Sequence, residues 1–285
     1  MIPAEFDYVR PGSVTEAATA LSEAGEDAKL LAGGQSLLPL LRLRLAYPEV
    51  LIDLDRVPEL REIRDDGDAL SIGAMATHDQ VVRSPLVREH APLVAHAAAT
   101  VADPAVRHRG TFGGSLAHAD PAGDLPAVTL ALDAVFVARS TRGVREIPAA
   151  EFFVDLLTSA LAADELLTEV RVPKLGAGWG FHYEKFHRTA QAWATVGIAC
   201  AVQRSDGTVT AARVGLTNMG TTPIRASAVE SAVTGGAVSA GAFRSASAAA
   251  ADGTNPPEDL HGSAEYRGHL AQVLTARALA SAAAL

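Results

Sequence analysis

Two similar glycine pairs, about eighty residues apart, constrain the fold of this chain more than any other feature of its sequence. The segments that contain them are Ala32-Gly33-Gly34-Gln35-Ser36 and Thr111-Phe112-Gly113-Gly114-Ser115. A glycine pair lets the backbone approach a bulky anion closely, and its N–H groups can converge on a phosphate without a lysine. Either segment alone is more often a plain turn, but together they favour two subdomains that hold one diphosphate between them.

Other nucleotide-binding folds and several other classes of protein are excluded. No GxGxxG motif follows a strand signal, so the Rossmann fingerprint is missing, and there is no GxxxxGKS/T motif of a P-loop. The net charge of −9 and the scattered Lys and Arg residues argue against nucleic-acid binding. Cys200 is the only cysteine, so this chain can form neither an internal disulfide nor a four-cysteine metal site. The nine histidines show no HExxH spacing.

The first part of the chain has the pattern of an α+β domain. Ser13 and Glu16 predict a capped helix that ends near Gly25. Another helix is predicted from Asp124, which stands as a helix cap with a proline two residues later. Short apolar runs predict strands at residues 29–32, 50–54, 70–74, 134–138 and 166–172.

A second domain is predicted after the Pro- and Gly-containing segment 173–178. Three antiparallel strands are expected at residues 181–186, 195–203 and 209–217, followed by a helix at 226–233. The Gly-, Ala- and Ser-rich segment 235–257 is interpreted as a mobile connection. A final helix is predicted from about Ala264.

Four segments, in order along the chain, resemble the FAD-binding medium subunit of the molybdenum hydroxylases, the family of xanthine dehydrogenase and aerobic carbon monoxide dehydrogenase. They are residues 31–39 and 109–126, which contain the glycine pairs, and residues 183–194 and 265–274. The resemblance implies a two-subdomain FAD-binding domain of the vanillyl-alcohol oxidase (PCMH) type at residues 1–175, divided at about residue 57. It also implies a C-terminal domain at residues 176–285 with a three-stranded antiparallel sheet and helices.

The resemblance further implies a set of FAD-binding residues. The two glycine segments would surround the diphosphate, Asp124 would accept hydrogen bonds from ribose or ribityl hydroxyls, and Trp193 would lie beside the isoalloxazine ring. Leu167 and Lys185 match positions near the flavin. The expected cofactor-binding residues are therefore Ala32, Gly33, Gly34, Gln35, Ser36, Thr111, Phe112, Gly113, Gly114, Ser115, Asp124, Leu167, Lys185 and Trp193. No catalytic or metal-binding residue is expected on this chain.

Two departures from the family pattern are expected to lie beside the cofactor. Phe112 stands where isoleucine or leucine is usual, and Ala192 stands where aspartate is common. Read without the family, Asp124 is equally well a helix cap, Leu167 a core residue, Lys185 a solvated strand residue and Trp193 a core residue.

The function implied by the resemblance is electron transfer. Substrate would be oxidised at a molybdenum cofactor on a large subunit, and electrons would pass through two [2Fe–2S] clusters on a small subunit to FAD on this chain. FAD would then reduce an external acceptor such as NAD⁺, a quinone, a carrier protein or oxygen. A dimer of such three-chain units is expected.

A cytoplasmic location without membrane insertion is also expected. The first seven residues lack the basic and apolar stretches of a secretion signal. The apolar segment 37–45 is too short to span a bilayer and is interrupted by Arg42 and Arg44.

Two alternatives stay open at this stage. The first is a self-contained FAD-dependent oxidoreductase of the same fold, which would need its own substrate acid–base residues. The second is a flavin-free assembly or structural protein, against which the four intact glycines Gly33, Gly34, Gly113 and Gly114 argue.

Overall fold

The computed structural model describes residues 2–284. Its first subdomain is built on a three-stranded parallel sheet of strand order β1-β3-β2. In chain order its elements are β1 (Asp7–Val9), α1 (Val14–Ala24), β2 (Ala28–Leu31), α2 (Leu37–Leu43) and β3 (Val50–Asp53), with 3₁₀ turns at Gly25–Asp27 and Leu54–Arg56. Ser13 caps α1 as predicted, but the Glu16 carboxylate accepts from the N–H of Gly12 instead of Ser13.

The second subdomain contains a five-stranded antiparallel sheet of order β4-β5-β10-β6-β7. After a 3₁₀ turn at Pro58–Arg61, its strands are β4 (Ile63–Asp65), β5 (Ala69–Gly73), β6 (Val135–Ser140), β7 (Gly143–Pro148) and β10 (Leu166–Pro173), with a small hairpin of β8 (Phe153–Asp155) and β9 (Thr158–Ser159). Its helices are α3 (His78–Arg83), α4 (Pro85–His90), α5 (Pro92–Thr100), α6 (Pro104–Arg107), α7 (Phe112–Ala117), α8 (Asp124–Ala131) and α9 (Ala149–Phe152).

The C-terminal domain has the three predicted strands in one antiparallel sheet, to which a two-residue edge strand is added. The strands are β11 (Trp179–Phe186), β12 (Val196–Ser205), β13 (Thr208–Thr217) and β14 (Ile224–Arg225). The helices are α10 (Ser227–Val233), α11 (Ala240–Ser247) and α12 (Ala264–Ala282), with a 3₁₀ turn at Ala248–Ala251.

The segment predicted to be a mobile connection is helical over much of its length, so that prediction is wrong. The Ser239 hydroxyl caps α11 by accepting from the Ala242 N–H. Phe243 is completely buried in the core that α11 shares with α12. A single large aromatic side chain thus fixes a segment whose composition resembles that of a flexible linker.

The domains pack directly on one another through α8. All eight residues of α8 are buried, and Gly215 of β13 lies so close to the Ala127 carbonyl that a Cβ at residue 215 would overlap it. Tyr183 and Ala199 of the C-terminal sheet belong to the hydrophobic core of the second subdomain. Within residues 2–284, no helix is both long and apolar enough to cross a membrane.

Candidate cofactor-binding cleft

A cleft of about 710 Å³ lies between the two subdomains and is completed by the C-terminal domain. Thirteen of the fourteen predicted site residues line it, although they come from segments far apart in the sequence. They are Ala32, Gly33, Gly34, Gln35, Ser36, Thr111, Gly113, Gly114, Ser115, Asp124, Leu167, Lys185 and Trp193.

Phe112 is the exception. Its side chain is completely buried in the core of the second subdomain and does not line the cleft. The Phe112 side chain therefore lies outside the cleft lining, and its effect on the surroundings of the cofactor stays a prediction. Ala192, the other departure, does line the cleft.

The two glycine segments pack closely against neighbouring backbone, and this packing holds them in place in the lining of the cleft. A Cβ on Gly33 would overlap the Arg109 carbonyl oxygen and lie 2.7 Å from the Gly110 Cα. A Cβ on Gly113 would lie 2.5 Å from the Ala74 Cα at the end of β5. Because real Cβ atoms do not approach so closely, glycine is required at both positions, and the first segment is held directly against the second.

The second glycine segment forms the first turn of helix α7. Thr111 caps this helix, and its Oγ1 accepts from the Gly114 N–H at 3.2 Å. The N–H groups of Phe112 and Gly113 donate to the carbonyls of Ala76 and Ala74, at 2.8 and 2.9 Å. These three N–H groups therefore already have protein partners, which leaves them less available to a phosphate.

The first glycine segment has the free donors. Within the described part of the chain, no acceptor bonds the backbone N–H groups of Gly34, Gln35 and Ser36. The Ser36 hydroxyl makes no capping bond to α2, although Ser36 stands directly before it. Backbone N–H groups that converge at a cleft bind anions well, so this segment suits a phosphate better than the second one does.

Asp124 joins the two domains through a buried ion pair. It lies in the first turn of α8, where Gly123 is the residue before the helix, so the alternative that Asp124 is a helix cap is wrong. One carboxylate oxygen accepts from the Tyr183 hydroxyl and the other from the Lys185 ammonium, both at 2.8 Å. Lys185 also donates to the Thr100 carbonyl at 3.1 Å and is not a solvated strand residue.

Burial is the main influence on the pKa values of Asp124 and Tyr183. It raises the pKa of Asp124, and the positive charge of Lys185 acts in the opposite direction. Burial, together with the Asp124 charge, raises the pKa of the Tyr183 hydroxyl well above its ordinary value, so the phenol remains a donor. Each Asp124 oxygen has a second lone pair, so Asp124 can still accept a hydroxyl of a ligand in the cleft.

His78 is a cleft residue that the sequence did not reveal. It stands in a helix-start pattern, Thr77-His78-Asp79-Gln80, which explains its position without any ligand. The structure places it in the cleft lining, 3% exposed, and its Nδ1 has no hydrogen-bond partner within the described residues. Burial, assisted by the positive charge of Arg107, lowers the pKa of His78 to about 4, so the ring is neutral at pH 7.

Trp193 lies at the edge of the cleft and is 55% exposed, so it is not a core residue. It follows an exposed turn in which the Gln191 amide donates to the Asp103 carboxylate. An aromatic face in this position can stack on a flat ring system. Free N–H donors, an orphaned histidine nitrogen and an exposed aromatic ring in one cleft together fit a large anionic cofactor with a flat ring.

Comparison with known proteins identifies the family. A family model described as the FAD binding domain in molybdopterin dehydrogenase matches residues 4–175, and one described as the CO dehydrogenase flavoprotein C-terminal domain matches residues 181–282. The chain belongs to the FAD-binding medium subunits of the molybdenum hydroxylases. The predicted family, its α+β fold, its cofactor FAD and its role as an oxidoreductase subunit are thus confirmed.

Individual relatives cover almost the whole chain. The carbon monoxide dehydrogenase medium chain of Hydrogenophaga pseudoflava is 44% identical over 282 residues, which are 99% of this chain and 98% of that one. The alpha subunit of the 6-hydroxypseudooxynicotine dehydrogenase complex of Paenarthrobacter nicotinovorans is 40% identical, over 99% and 96%.

Solved structures of this family superpose closely on the chain. The structure of the Hydrogenophaga pseudoflava carbon monoxide dehydrogenase that lacks the Mo-pyranopterin moiety has a TM-score of 0.97 at 46% identity, and it covers 100% of this chain and 99% of that one. Quinoline 2-oxidoreductase from Pseudomonas putida 86 has a TM-score of 0.95 at 35% identity, with the same coverage. This medium subunit therefore shares its complete architecture with both.

Proposed function

We propose that this medium subunit is the point at which electrons leave a three-component molybdenum hydroxylase. A large subunit with a molybdenum cofactor oxidises the substrate, and a small subunit with two [2Fe–2S] clusters carries the electrons onward. Bound FAD supplies the redox chemistry on this chain, accepting these electrons and passing them to an external acceptor. The observation that carries the proposal is the single cleft in which both glycine segments, Asp124, Lys185 and Trp193 meet.

The residues of this chain bind and orient the cofactor. The free N–H groups of residues 34–36 and the Ser36 hydroxyl suit the diphosphate. The second glycine segment forms a fixed part of the cleft lining, since its N–H groups are hydrogen-bonded within the protein. Asp124 accepts a cofactor hydroxyl through its remaining lone pairs, and the Trp193 ring shields one edge of the cleft. We assign no general acid, general base or nucleophile to this chain.

The cysteine content supports this division of labour. A [2Fe–2S] cluster takes four thiolate ligands, and this chain has one cysteine. Cys200 is also completely buried, which raises the pKa of its thiol far above the ordinary value and leaves it inert. Clusters that feed electrons to the cleft must therefore be held by another chain.

Substrate choice is assigned to the large subunit in this proposal. The names of relatives that are 37 to 44% identical to this chain refer to carbon monoxide, 6-hydroxypseudooxynicotine and caffeine. Carbon monoxide, 6-hydroxypseudooxynicotine and caffeine differ greatly in size and polarity and need different binding pockets, whereas the medium chains are similar over their whole length. A common flavin-binding chain that serves different substrate sites accounts for both facts.

The experiment is an absorbance spectrum of the protein purified from its native host, with the co-purifying chains identified by mass. We expect flavin bands together with a cluster-bearing small chain and a molybdenum-bearing large chain. A yellow chain that is alone and oxidises a small substrate would favour the self-contained flavoenzyme. A colourless chain that takes up no added FAD would leave only the structural alternative.

The assembly and its location are part of the same proposal. We propose a dimer of heterotrimers, which a native mass of two copies of each of the three chains would support. A cytoplasmic location suits a chain whose single cysteine leaves it without an internal disulfide. Fractionation of the native host tests the location.

A further inference from the structure

Trp193 is largely exposed, so the packing of its ring alone does not hold it in place. Residues 188–191 and Trp193 are exposed, and the ring stands at the edge of the cleft. The next two residues, Ala194 and Thr195, are buried. Because neighbouring Cα atoms are only about 3.8 Å apart, the place from which the ring projects is set largely by how these two residues are held.

Two buried side chains from distant parts of the chain hold the carbonyls of this pair. The Asn218 amide donates to the Ala194 carbonyl at 2.8 Å and reaches the Thr195 carbonyl at 3.4 Å. Arg267 of helix α12 donates to the Thr195 carbonyl from one guanidinium nitrogen. The second nitrogen bonds the Asp259 carboxylate at 2.6 Å. Arg267 is completely buried, so its planar guanidinium has little freedom to move.

Asn218 also connects this support to the FAD-binding domain. Its backbone N–H donates to the Pro121 carbonyl at 2.8 Å, between the cleft-lining residues Asp120 and Gly123. The backbone of Asn218 has a φ of +62°, a left-handed conformation that asparagine tolerates better than most residues. One residue therefore fixes the base of Trp193 relative to the segment that leads into α8.

We propose that Asn218 and Arg267 are positioning residues that set the Trp193 ring against the bound flavin. Neither residue lines the cleft, and each is linked to Trp193 through the carbonyls of Ala194 and Thr195. Their role is to keep the aromatic face in place, and thereby to control how far the flavin edge is open to solvent and to an acceptor. This inference rests on the proposed function, in which Trp193 lies beside the isoalloxazine ring.

The test uses the purified complex and the variant Asn218→Gly. Glycine adopts a φ of +62° without strain and keeps the N–H that bonds Pro121, so only the amide is removed. Loss of an aromatic stacking contact is worth about 0.5–1.5 kcal/mol, so Trp193→Ala should raise the FAD dissociation constant about two- to tenfold. We expect Asn218→Gly to reproduce part of that rise and to increase flavin fluorescence, because the ring no longer quenches it.

A double variant separates positioning from general destabilisation. Asn218→Gly combined with Trp193→Ala should match Trp193→Ala alone in both readouts, since the amide acts only through the ring. Arg267→Lys keeps the positive charge beside Asp259 but loses the planar guanidinium that bonds both Thr195 and Asp259. It should therefore change flavin fluorescence in the same direction as Asn218→Gly. Asn255→Gly, at an exposed asparagine outside the cleft lining, is the matched control and should change neither readout.

The outcomes distinguish this inference from the proposed function. If Trp193→Ala itself leaves FAD binding and fluorescence unchanged, then Trp193 does not lie beside the flavin and the proposed arrangement fails. If Trp193→Ala changes both while Asn218→Gly changes neither, the arrangement stands and the positioning role is wrong. An effect of Asn218→Gly that persists in the Trp193→Ala background would also overturn the positioning role.

Discussion

Asp124 and Lys185 are ionisable side chains that are almost completely removed from water, at 4% and 3% side-chain exposure. Removing two charges from water is costly, and their attraction offsets this only when the remaining donors and acceptors are satisfied. Here Tyr183 and the Thr100 carbonyl supply those further partners. The arrangement makes each member depend on the others, so a change at one side chain leaves an uncompensated buried charge.

We predict that Lys185→Met lowers the free energy of unfolding by about 3–5 kcal/mol, because Asp124 then remains buried without its counter-charge. Urea unfolding of the FAD-free chain measures this. The control is Lys174→Met, since Lys174 pairs with the solvent-exposed Asp65, and loss of that pair should lower the free energy of unfolding much less. Asp124→Asn added to Lys185→Met should recover part of the loss. Equal effects of the two single variants would contradict the prediction.

His78 predicts a pH dependence of stability. Its pKa in the folded chain is about 4, against 6.5 for an ordinary histidine. As the pH falls from 6.5 towards 4, the unfolded chain takes up this proton and the folded chain does not. Stability is therefore lost on acidification, by as much as about 3 kcal/mol from this residue.

The measurement for His78 is the difference between wild type and His78→Gln in urea unfolding at pH 7 and pH 4.5. Carboxyl groups also titrate in this range, but they contribute equally to both proteins and cancel in the difference. We expect the stability of the variant to fall less than that of the wild type. Parallel curves would show that His78 is protonated as easily in the folded chain as in the unfolded one.

At the scale of elements, the contact between the two glycine segments determines the shape of the cleft. We predict that Gly33→Ala weakens FAD binding by about tenfold or more, because the added methyl group must push the first segment away from Arg109 and Gly110. The flavin-to-protein ratio after dialysis measures this. Gly176→Ala is the control, since a Cβ there meets no atom within 4 Å. Equal retention of FAD in both variants would contradict the packing argument.

The sequence predicted elements well where the determining interactions are local. Ser13 and Gly25 bound α1 through bonds within one or two turns, and β12 and β13 follow from apolar runs. The prediction of a mobile connection at residues 235–257 is wrong because α11 depends on the burial of Phe243, which only tertiary packing provides. The five-stranded sheet places β10 between β5 and β6, an order that no local pattern encodes.

The same distinction applies to the cleft. The family resemblance located thirteen residues that line the cleft, because a matched motif assigns each family position to one residue of this chain. It could not show that the N–H groups of Phe112 and Gly113 are used internally, since their acceptors lie on Ala76 and Ala74. Nor could it find His78, whose burial in the cleft lining is set by elements distant in sequence. Asp124 fits a helix-cap pattern equally well, and only the structure shows that α8 begins at Asp124 after Gly123 and that the Asp124 carboxylate pairs with Lys185.

At the scale of the whole molecule, the cleft takes residues from both domains, so FAD should stabilise them together. At a free FAD concentration one hundred times the dissociation constant, binding adds about 2.7 kcal/mol to the stability of the folded chain. The tryptophans are Trp179 and Trp193, both in the C-terminal domain. In a Trp193→Phe variant, fluorescence from Trp179 therefore reports unfolding of that domain alone.

We predict that FAD raises the thermal midpoint reported by Trp179 in this variant, and by the same amount as the midpoint reported by circular dichroism of the whole chain. FMN, which lacks the adenylate half and the diphosphate, is the control ligand and should raise both midpoints less. If FAD shifts only the circular dichroism transition, the C-terminal domain contributes nothing to the binding energy.

The link between Asp124 and Lys185 also has a consequence for how the protein is made. Lys185 emerges from the ribosome 61 residues after Asp124, a delay of roughly 3–12 s at typical rates of synthesis. During that interval the nascent N-terminal domain has no counter-charge for Asp124. Asn218 and Arg267 follow later still. The C-terminal residues that line or support the cleft are thus made well after the two glycine segments, so we expect FAD to be loaded only after the C-terminal domain has been synthesised.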